Sequence, residues 1–329
     1  MRYALTGGSG FIGRRLVAQL RAEGHEVVCV ARNPDRAGDV VALGAKAVKG
    51  DILDRASLEA AFRGADGVFH LAASYVMGVT GKGAEEALKA NLDGTRIALE
   101  AARDVGVPRI VYTSSTVIYG DTRGKTMVEG ERMPDPYFPT HYAMSKARAH
   151  YEVAVPLQQE GAPIIIVQPG AVIGPRDHSA MRTIFSYLAR GRRVPVGSST
   201  FAIIDVDECA RGHRLATERG KIGESYHLVS EVLSLEALVE RVGRVTGQPA
   251  RALRLPTWLM RANAAVISLV EPFLSLPEAF TADGIRVSAG VDMLIDNTKA
   301  KRELGFDPRP LDASILEIMR AEDEELAAA

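Results

Sequence analysis

Apolar and polar positions along the first half of the chain follow two alternating rhythms. Short β-branched runs at Arg2–Thr6, Glu26–Ala31, Lys46–Lys49, Gly67–Leu71, Arg109–Ser114 and Pro163–Gln168 predict strands. Between them, Phe11–Glu23, Ala84–Val105 and Tyr142–Gln159 carry apolar residues at helical spacing, and Gly24 and Gly106 are placed to end two of these helices. Strand and helix taking turns is the pattern of right-handed βαβ units, whose strands align in one parallel sheet. The predicted fold class is α/β, a doubly wound parallel sheet.

After Gly170 the rhythm changes. Met181–Arg190, Asp207–Arg219, Leu235–Thr246 and Leu311–Glu325 read as helices, and only Phe201–Val206 and Ser225–Val229 look like strands. The expected division is a sheet domain over residues 1–170 and a smaller, mainly helical lobe over 171–329, with 201–229 returning to the sheet. Such a lobe covers the carboxyl ends of the strands, where open α/β sheets bind ligands.

Composition narrows the class of partner. The 329 residues are 47 % hydrophobic, enough for a sizeable core, and the 25 % charged residues nearly cancel to a net charge of −1. No global field draws in nucleic acid or an anionic membrane, so a small-molecule substrate is the expected partner. Cys29 and Cys209 lie far apart in apolar or helical stretches and read as buried thiols in a reducing cytoplasm. No histidine falls at metal-ligand spacing with carboxylates, so no catalytic metal is expected. Met1–Thr6 runs directly into a glycine turn and leaves no room for a secretion signal. The longest apolar run, Ala262–Val270, falls short of the roughly 20 residues a spanning helix requires. The expectation is a cytoplasmic protein without a membrane span.

Chemistry enters with Thr6-Gly7-Gly8-Ser9-Gly10-Phe11-Ile12-Gly13, which follows a predicted strand and opens a predicted helix. Gly7 permits a tight turn, Gly10 lets the backbone approach a pyrophosphate, and Gly13 lets the helix pack closely. The helix N-terminus supplies N–H groups and positive dipole. This context makes the sheet a Rossmann-type dinucleotide-binding fold. At the end of the second strand, where a carboxylate would bond the ribose hydroxyl of NAD, stands Arg32. Its planar cation suits a 2′-phosphate, which favours NADP over NAD; the competing reading is a solvated arginine. Asp51 and Ile52 close the third strand, where they could flank an adenine.

Tyr142 and Lys146, four apart at the start of a predicted helix, share one face. A phenol has a reference pKa near 10, but a neighbouring ammonium and an oxidised nicotinamide both favour phenolate. Tyr142 can then exchange a proton with a substrate oxygen.

With these residues the chain resembles the extended short-chain dehydrogenase/reductases, also called the NAD-dependent epimerase/dehydratase family. The supporting segments are Thr6–Gly13, Gly50–Asp54, His70–Ala73, Asn91, Val111–Gly120, Tyr142–Lys146, Gln168–Pro175 and Ile204–Gly212. The resemblance implies that Ser115 hydrogen-bonds the reacting oxygen, with Ser114 and Thr116 as competitors, and that Lys146 holds the nicotinamide ribose. It matches Asn91 to the family's organiser of a proton-relay water, against a purely structural asparagine. For the cofactor it implies Gly7, Ser9, Gly10, Phe11, Ile12, Gly13, Leu71, Ala72, Ala73, Thr113, Tyr142, Lys146, Pro169 and Gly170, with His70 structural. It also suggests a homodimer paired through the helices at Ala84–Val105 and Tyr142–Gln159.

Within that family the chain is nearest the branch of dihydroflavonol 4-reductases and 3β-hydroxysteroid dehydrogenases. Sugar-nucleotide members carry an arginine before the stretch that here reads Ile204-Asp205-Val206-Asp207, and in this chain Ser198–Ile203 has none. The expected activity is hydride transfer between nicotinamide and a carbonyl or secondary alcohol of an apolar substrate. A nucleotide-sugar 4-epimerase or dehydratase, with Arg176, Arg182 and Arg192-Arg193 as phosphate ligands, is the alternative; a non-catalytic dinucleotide sensor is another. Pro256–Met260 and Val266–Val270 are apolar on more than one helix face, and either line a pocket, close the core or pack against another copy.

Overall fold

In a computed structural model of the chain, residues 1–75, 78, 82–177, 179–274 and 276–328 are described. The predicted strands are β1 (Arg2–Thr6), β2 (Glu26–Ala31), β3 (Lys46–Lys49), β4 (Gly67–His70), β5 (Ile110–Thr113) and β6 (Ile164–Pro169). They alternate with α1 (Phe11–Ala22), α2 (Gly38–Ala42), α3 (Arg55–Phe62), α4 (Lys82–Asp104), α5 (His141–Ala149) and α6 (Val155–Gln159). The lobe adds β7 (Ala171–Ile173), β8 (Val194–Val196), β9 (Thr200–Asp205), β10 (Ser225–Leu228), β11 (Glu231–Ser234) and β12 (Ala252–Arg254). Its helices are α7 (Ala180–Ala189), α8 (Val206–Arg219), α9 (Leu235–Thr246), α10 (Thr257–Val270), α11 (Ala282–Ser288), α12 (Thr298–Leu304) and α13 (Leu311–Ala328).

Seven parallel strands form the main sheet in the order β3-β2-β1-β4-β5-β6-β10. The central strands β4, β5 and β6 are buried on both faces and read as near-continuous apolar runs, whereas the edge strand β3, Lys46-Ala47-Val48-Lys49, exposes both of its lysines. Leu5, Ile165 and Val167 point into one core with Leu16, Leu20, Cys209 and Phe306, under α1, α8 and α12. Their neighbours Ala4, Ile164 and Ile166 point into the other, with Phe62, Leu99 and Ala102, under α3 and α4. The order turns back on itself between β1 and β4, which opens a crevice at the carboxyl ends of these two strands.

The lobe differs from the sequence expectation in detail. Ser225–Leu228 does return to the sheet, pairing with β6, but Thr200–Asp205 joins a separate three-stranded sheet, β11-β9-β7. A two-stranded parallel pair, β8 and β12, completes it. β7, β8, β11 and β12 are three or four residues long, too short for any periodicity to emerge. The helix expected over Tyr142–Gln159 is interrupted by a π-helical turn at His150–Ala154. Cys29 and Cys209 are both buried free thiols.

Candidate active site

The glycine turn occupies the crevice between β1 and β4. Gly7 has φ +74°, and a Cβ there would sit 2.7 Å from the Ala72 nitrogen. At Gly13 a Cβ would lie 2.1 Å from the Gly7 carbonyl oxygen, so the packing this glycine permits is between helix and turn. The Gly10 N–H closes the turn on the Gly7 carbonyl at 3.0 Å. Gly10 then caps α1 with no side-chain hydrogen bond, and the first turn has no acidic residue. The N-terminus of a twelve-residue helix is therefore left without an internal anion, flanked by backbone that no side chain obstructs. This cradle fits a dinucleotide diphosphate.

The other expected cofactor residues surround this turn. The Thr6 hydroxyl lies 2.7 Å from His70 Nδ1 and accepts from the Ala72 N–H at 3.4 Å, tying the ends of β1 and β4 together. His70 is buried against Tyr112, its imidazole pushed down to about 3 by burial and by the Lys146 ammonium. Leu71 and Ala72 are half-buried, and Ser9 and Ala73 are exposed. Ile12 packs against the core, while Phe11 lies against Gly174. Ile52 fills the space left by Gly94 on α4, and Asp51 Oδ1 accepts the Leu53 N–H at 2.9 Å. Arg32 is exposed and has no hydrogen-bonded or ionic partner among the described residues.

Two expected contacts are committed elsewhere. The Thr113 hydroxyl pairs with His213 Nε2 of α8 at 2.8 Å, leaving its carbonyl to face the site. At Gly170 a Cβ would meet the Ala202 carbonyl oxygen at 2.4 Å, so the approach of β9 explains that glycine.

Chemistry gathers where β5 and β6 end beside the start of α5. The Thr140 hydroxyl caps α5 by accepting from the Ala143 N–H at 3.0 Å. This sets Tyr142 and Lys146 one turn apart. Lys146 is 3 % exposed; its Nζ donates to the Thr113 carbonyl at 2.8 Å and lies 3.5 Å from the Tyr112 hydroxyl. Burial pushes this ammonium down to about 7. Burial likewise pushes the Tyr142 phenol up to about 12, so in the folded protein desolvation outweighs the pull toward phenolate expected from Lys146. Tyr142 is protonated at neutral pH.

Ser115 begins the turn after β5. Its hydroxyl accepts from the Val117 N–H at 3.3 Å and reaches the Pro169 carbonyl at 3.4 Å, both long contacts. Its competitors are less available: Ser114 bonds His150 Nδ1 at 3.0 Å, and Thr116 is 2 % exposed. Asn91 is buried and clamps three segments. It accepts from the Ser74 N–H at 2.6 Å and donates to the Ser74 carbonyl and to Ser145 Oγ. Its direct partners are thus a loop and α5 rather than Lys146. Gln168 is also buried and donates to the Tyr119 hydroxyl at 3.1 Å.

Sequence reasoning missed Tyr75, whose ring stands edge-on to Tyr142 at 4.9 Å. It also missed Glu278, whose carboxyl is raised by burial and by Asp177, with Tyr75 as a stabilising partner. Both belong to segments without periodicity, and no signal in the chain pairs them.

The profile of the NAD dependent epimerase/dehydratase family matches residues 3–229. A Synechocystis protein named "Putative dihydroflavonol 4-reductase" is 34 % identical, covering 92 % of this chain and 89 % of its own. A Stigmatella aurantiaca protein named 4-hydroxy-2-methyl-3-oxo-4-farnesyl-3,4-dihydroquinoline-1-oxide ketoreductase is 30 % identical, covering 97 % of this chain and 96 % of its own. Among solved structures, that of gox2253 is 31 % identical with a TM-score of 0.83 over 98 % of both chains. The glycine cradle, the Tyr142–Lys146 pair and these likenesses over nearly the whole length agree: the chain belongs to the NAD-dependent epimerase/dehydratase family.

Proposed function

We propose that this chain is a reductase of carbonyl groups, working reversibly on a small apolar substrate with NADP preferred to NAD. The observation that carries the reading is the placement of Tyr142 one helical turn from a buried lysine whose Nζ is fixed on the Thr113 carbonyl at the end of β5, two strands along the sheet from the glycine turn that follows β1. When bound, the nicotinamide supplies or accepts the hydride. Gly7, Gly10, Gly13 and the start of α1 would hold its diphosphate, and Arg32 the 2′-phosphate. Tyr142 gives its proton to a carbonyl oxygen as negative charge develops there, and takes it back in the oxidative direction. Ser115 orients that oxygen with its weakly engaged hydroxyl, and Lys146 sets the field at the phenol while its Nζ is fixed on Thr113. Asn91 acts as a positioning residue that keeps α5 and the Ser74 loop in register.

Two observations support an apolar substrate over a sugar nucleotide. Arg182, a candidate phosphate ligand, is committed to Glu322 at 3.0 Å and to Glu325. The relative from Stigmatella is named for a ketone bearing a farnesyl chain. The test is NADPH and NADH consumption against a panel of apolar ketones, with Tyr142→Phe beside the parent chain. The variant should bind NADPH normally and lose turnover by about 10²–10⁴-fold. Retained turnover sinks the assignment; tightly held NAD with no net turnover moves it to an epimerase, and binding without any hydride exchange to a sensor.

A further inference from the structure

Helix α10 buries one apolar face and exposes another. Met260 and Ala264 pack with Ile285 of α11 and with Ala289 just beyond its end. On the opposite side Trp258 is 71 % exposed, Val266 58 % and Leu269 75 %, and beyond the helix end Phe273 is 86 % exposed. With Leu259 and Leu274 these side chains present on the order of 700 Å² of apolar surface, more than monomeric soluble proteins ordinarily leave open. Trp258 and Phe273 stand roughly 20 Å apart along the element, so the surface is a line with an aromatic at each end.

The segment that leads into and forms this helix carries charge of one sign, and the first carboxylate after it, Glu271, accepts from the Ala282 N–H at 3.2 Å. Residues 241–270 contain five arginines and neither aspartate nor glutamate. Arg241 and Arg254 have carboxylate partners. Arg251 does not, and the bond from the Val194 N–H to the Arg251 carbonyl at 3.1 Å sets it beside Arg193. Arg190 and Arg192, also without carboxylate partners among the described residues, face Pro277 and Glu278 across a crevice of about 310 Å³. Pro277 lies three residues beyond Leu274, so the cationic and apolar surfaces meet at this crevice. Glu278 connects it through Tyr75 to Tyr142.

We propose that the outer face of α10, continued through Phe273 and Leu274, docks on an anionic lipid surface. Apolar side chains enter the boundary of the bilayer while Arg190, Arg192, Arg193 and Arg251 meet its head groups. No described helix is long and apolar enough to cross a membrane, and docking requires none. Delivery of an apolar substrate from this surface rests on the reductase reading; the surface itself does not.

Trp258 is the chain's single tryptophan and reports directly on the face. The experiment mixes the full chain with sucrose-loaded vesicles of phosphatidylcholine, alone or with phosphatidylglycerol, and reads sedimentation and tryptophan emission. Binding that rises with phosphatidylglycerol, with blue-shifted emission quenched by acyl-brominated lipid, is the expected result. Leu269→Asp, and separately Phe273→Asp, should lower partitioning roughly tenfold or more. Arg190→Glu with Arg192→Glu should remove the gain from phosphatidylglycerol. Unchanged emission and no sedimentation overturn the proposal. So does emission already blue-shifted without lipid in a dimer that Leu269→Asp dissociates, which assigns the face to a second copy. A chain that binds vesicles yet reduces no ketone supports the docking surface and overturns only the reductase reading.

Discussion

Burying an ammonium without a carboxylate beside it is unfavourable, and among the described residues Lys146 is held in that state. Below about pH 7 the lysine is protonated folded and unfolded alike, so the full cost is present. Between about 7 and 10.5 the unfolded chain retains a proton that the folded chain has released, and this group's contribution to stability rises with pH. Lys146→Met is therefore expected to melt several degrees above the parent at pH 6, with the difference shrinking toward pH 10, while turnover is lost. Thermal melts across that range check the sign; a variant less stable at pH 6 contradicts it. The positions of Tyr142 and Lys146 one turn apart on α5, and of Ser115 just after β5, were legible in the sequence because each sits in a short continuous motif whose neighbours fix its setting. The partners of Asn91 and the contact of Tyr75 with Tyr142 were not, since both are made by a loop with no pattern to place it.

At the scale of elements, α1 and the turn before it form one unit. The space for a side chain at position 13 is already filled by the carbonyl of Gly7 and the backbone of Gly8. Gly13→Ala should cost roughly 1–3 kcal/mol through this overlap and weaken dinucleotide binding along with stability. Denaturant unfolding and NADPH titration measure the two effects; an unchanged midpoint would mean that the turn moves aside freely. The central strands of the main sheet stood out as apolar runs because both of their faces are buried. The three-residue strands β7, β8 and β12 did not, because their pairing is decided by the lobe around them. The outer face of α10 was visible as apolar, but a sequence does not say which side of such a helix finds a partner. Packing on α11 settled that for only one of its sides.

For the whole molecule, a net charge of −1 concealed an uneven distribution, with unpaired arginines gathered near the one large apolar surface described above. Topology has a consequence for synthesis. The main sheet is completed by β10, which pairs with β6 only after about 55 intervening residues. At a translation rate of about 5–20 residues per second, the edge of β6 waits several seconds for its neighbour. During that interval Ile164-Ile165-Ile166-Val167 offers an unpaired, strongly apolar strand to any other nascent chain. A fragment ending at residue 170 makes the wait permanent, and should collect in inclusion bodies where the chain through Leu228 and its covering helix α8 does not. The ratio of soluble to pelleted product for the two lengths tests this directly. Holding the β6 edge until β10 emerges is a task for chaperones at the ribosome.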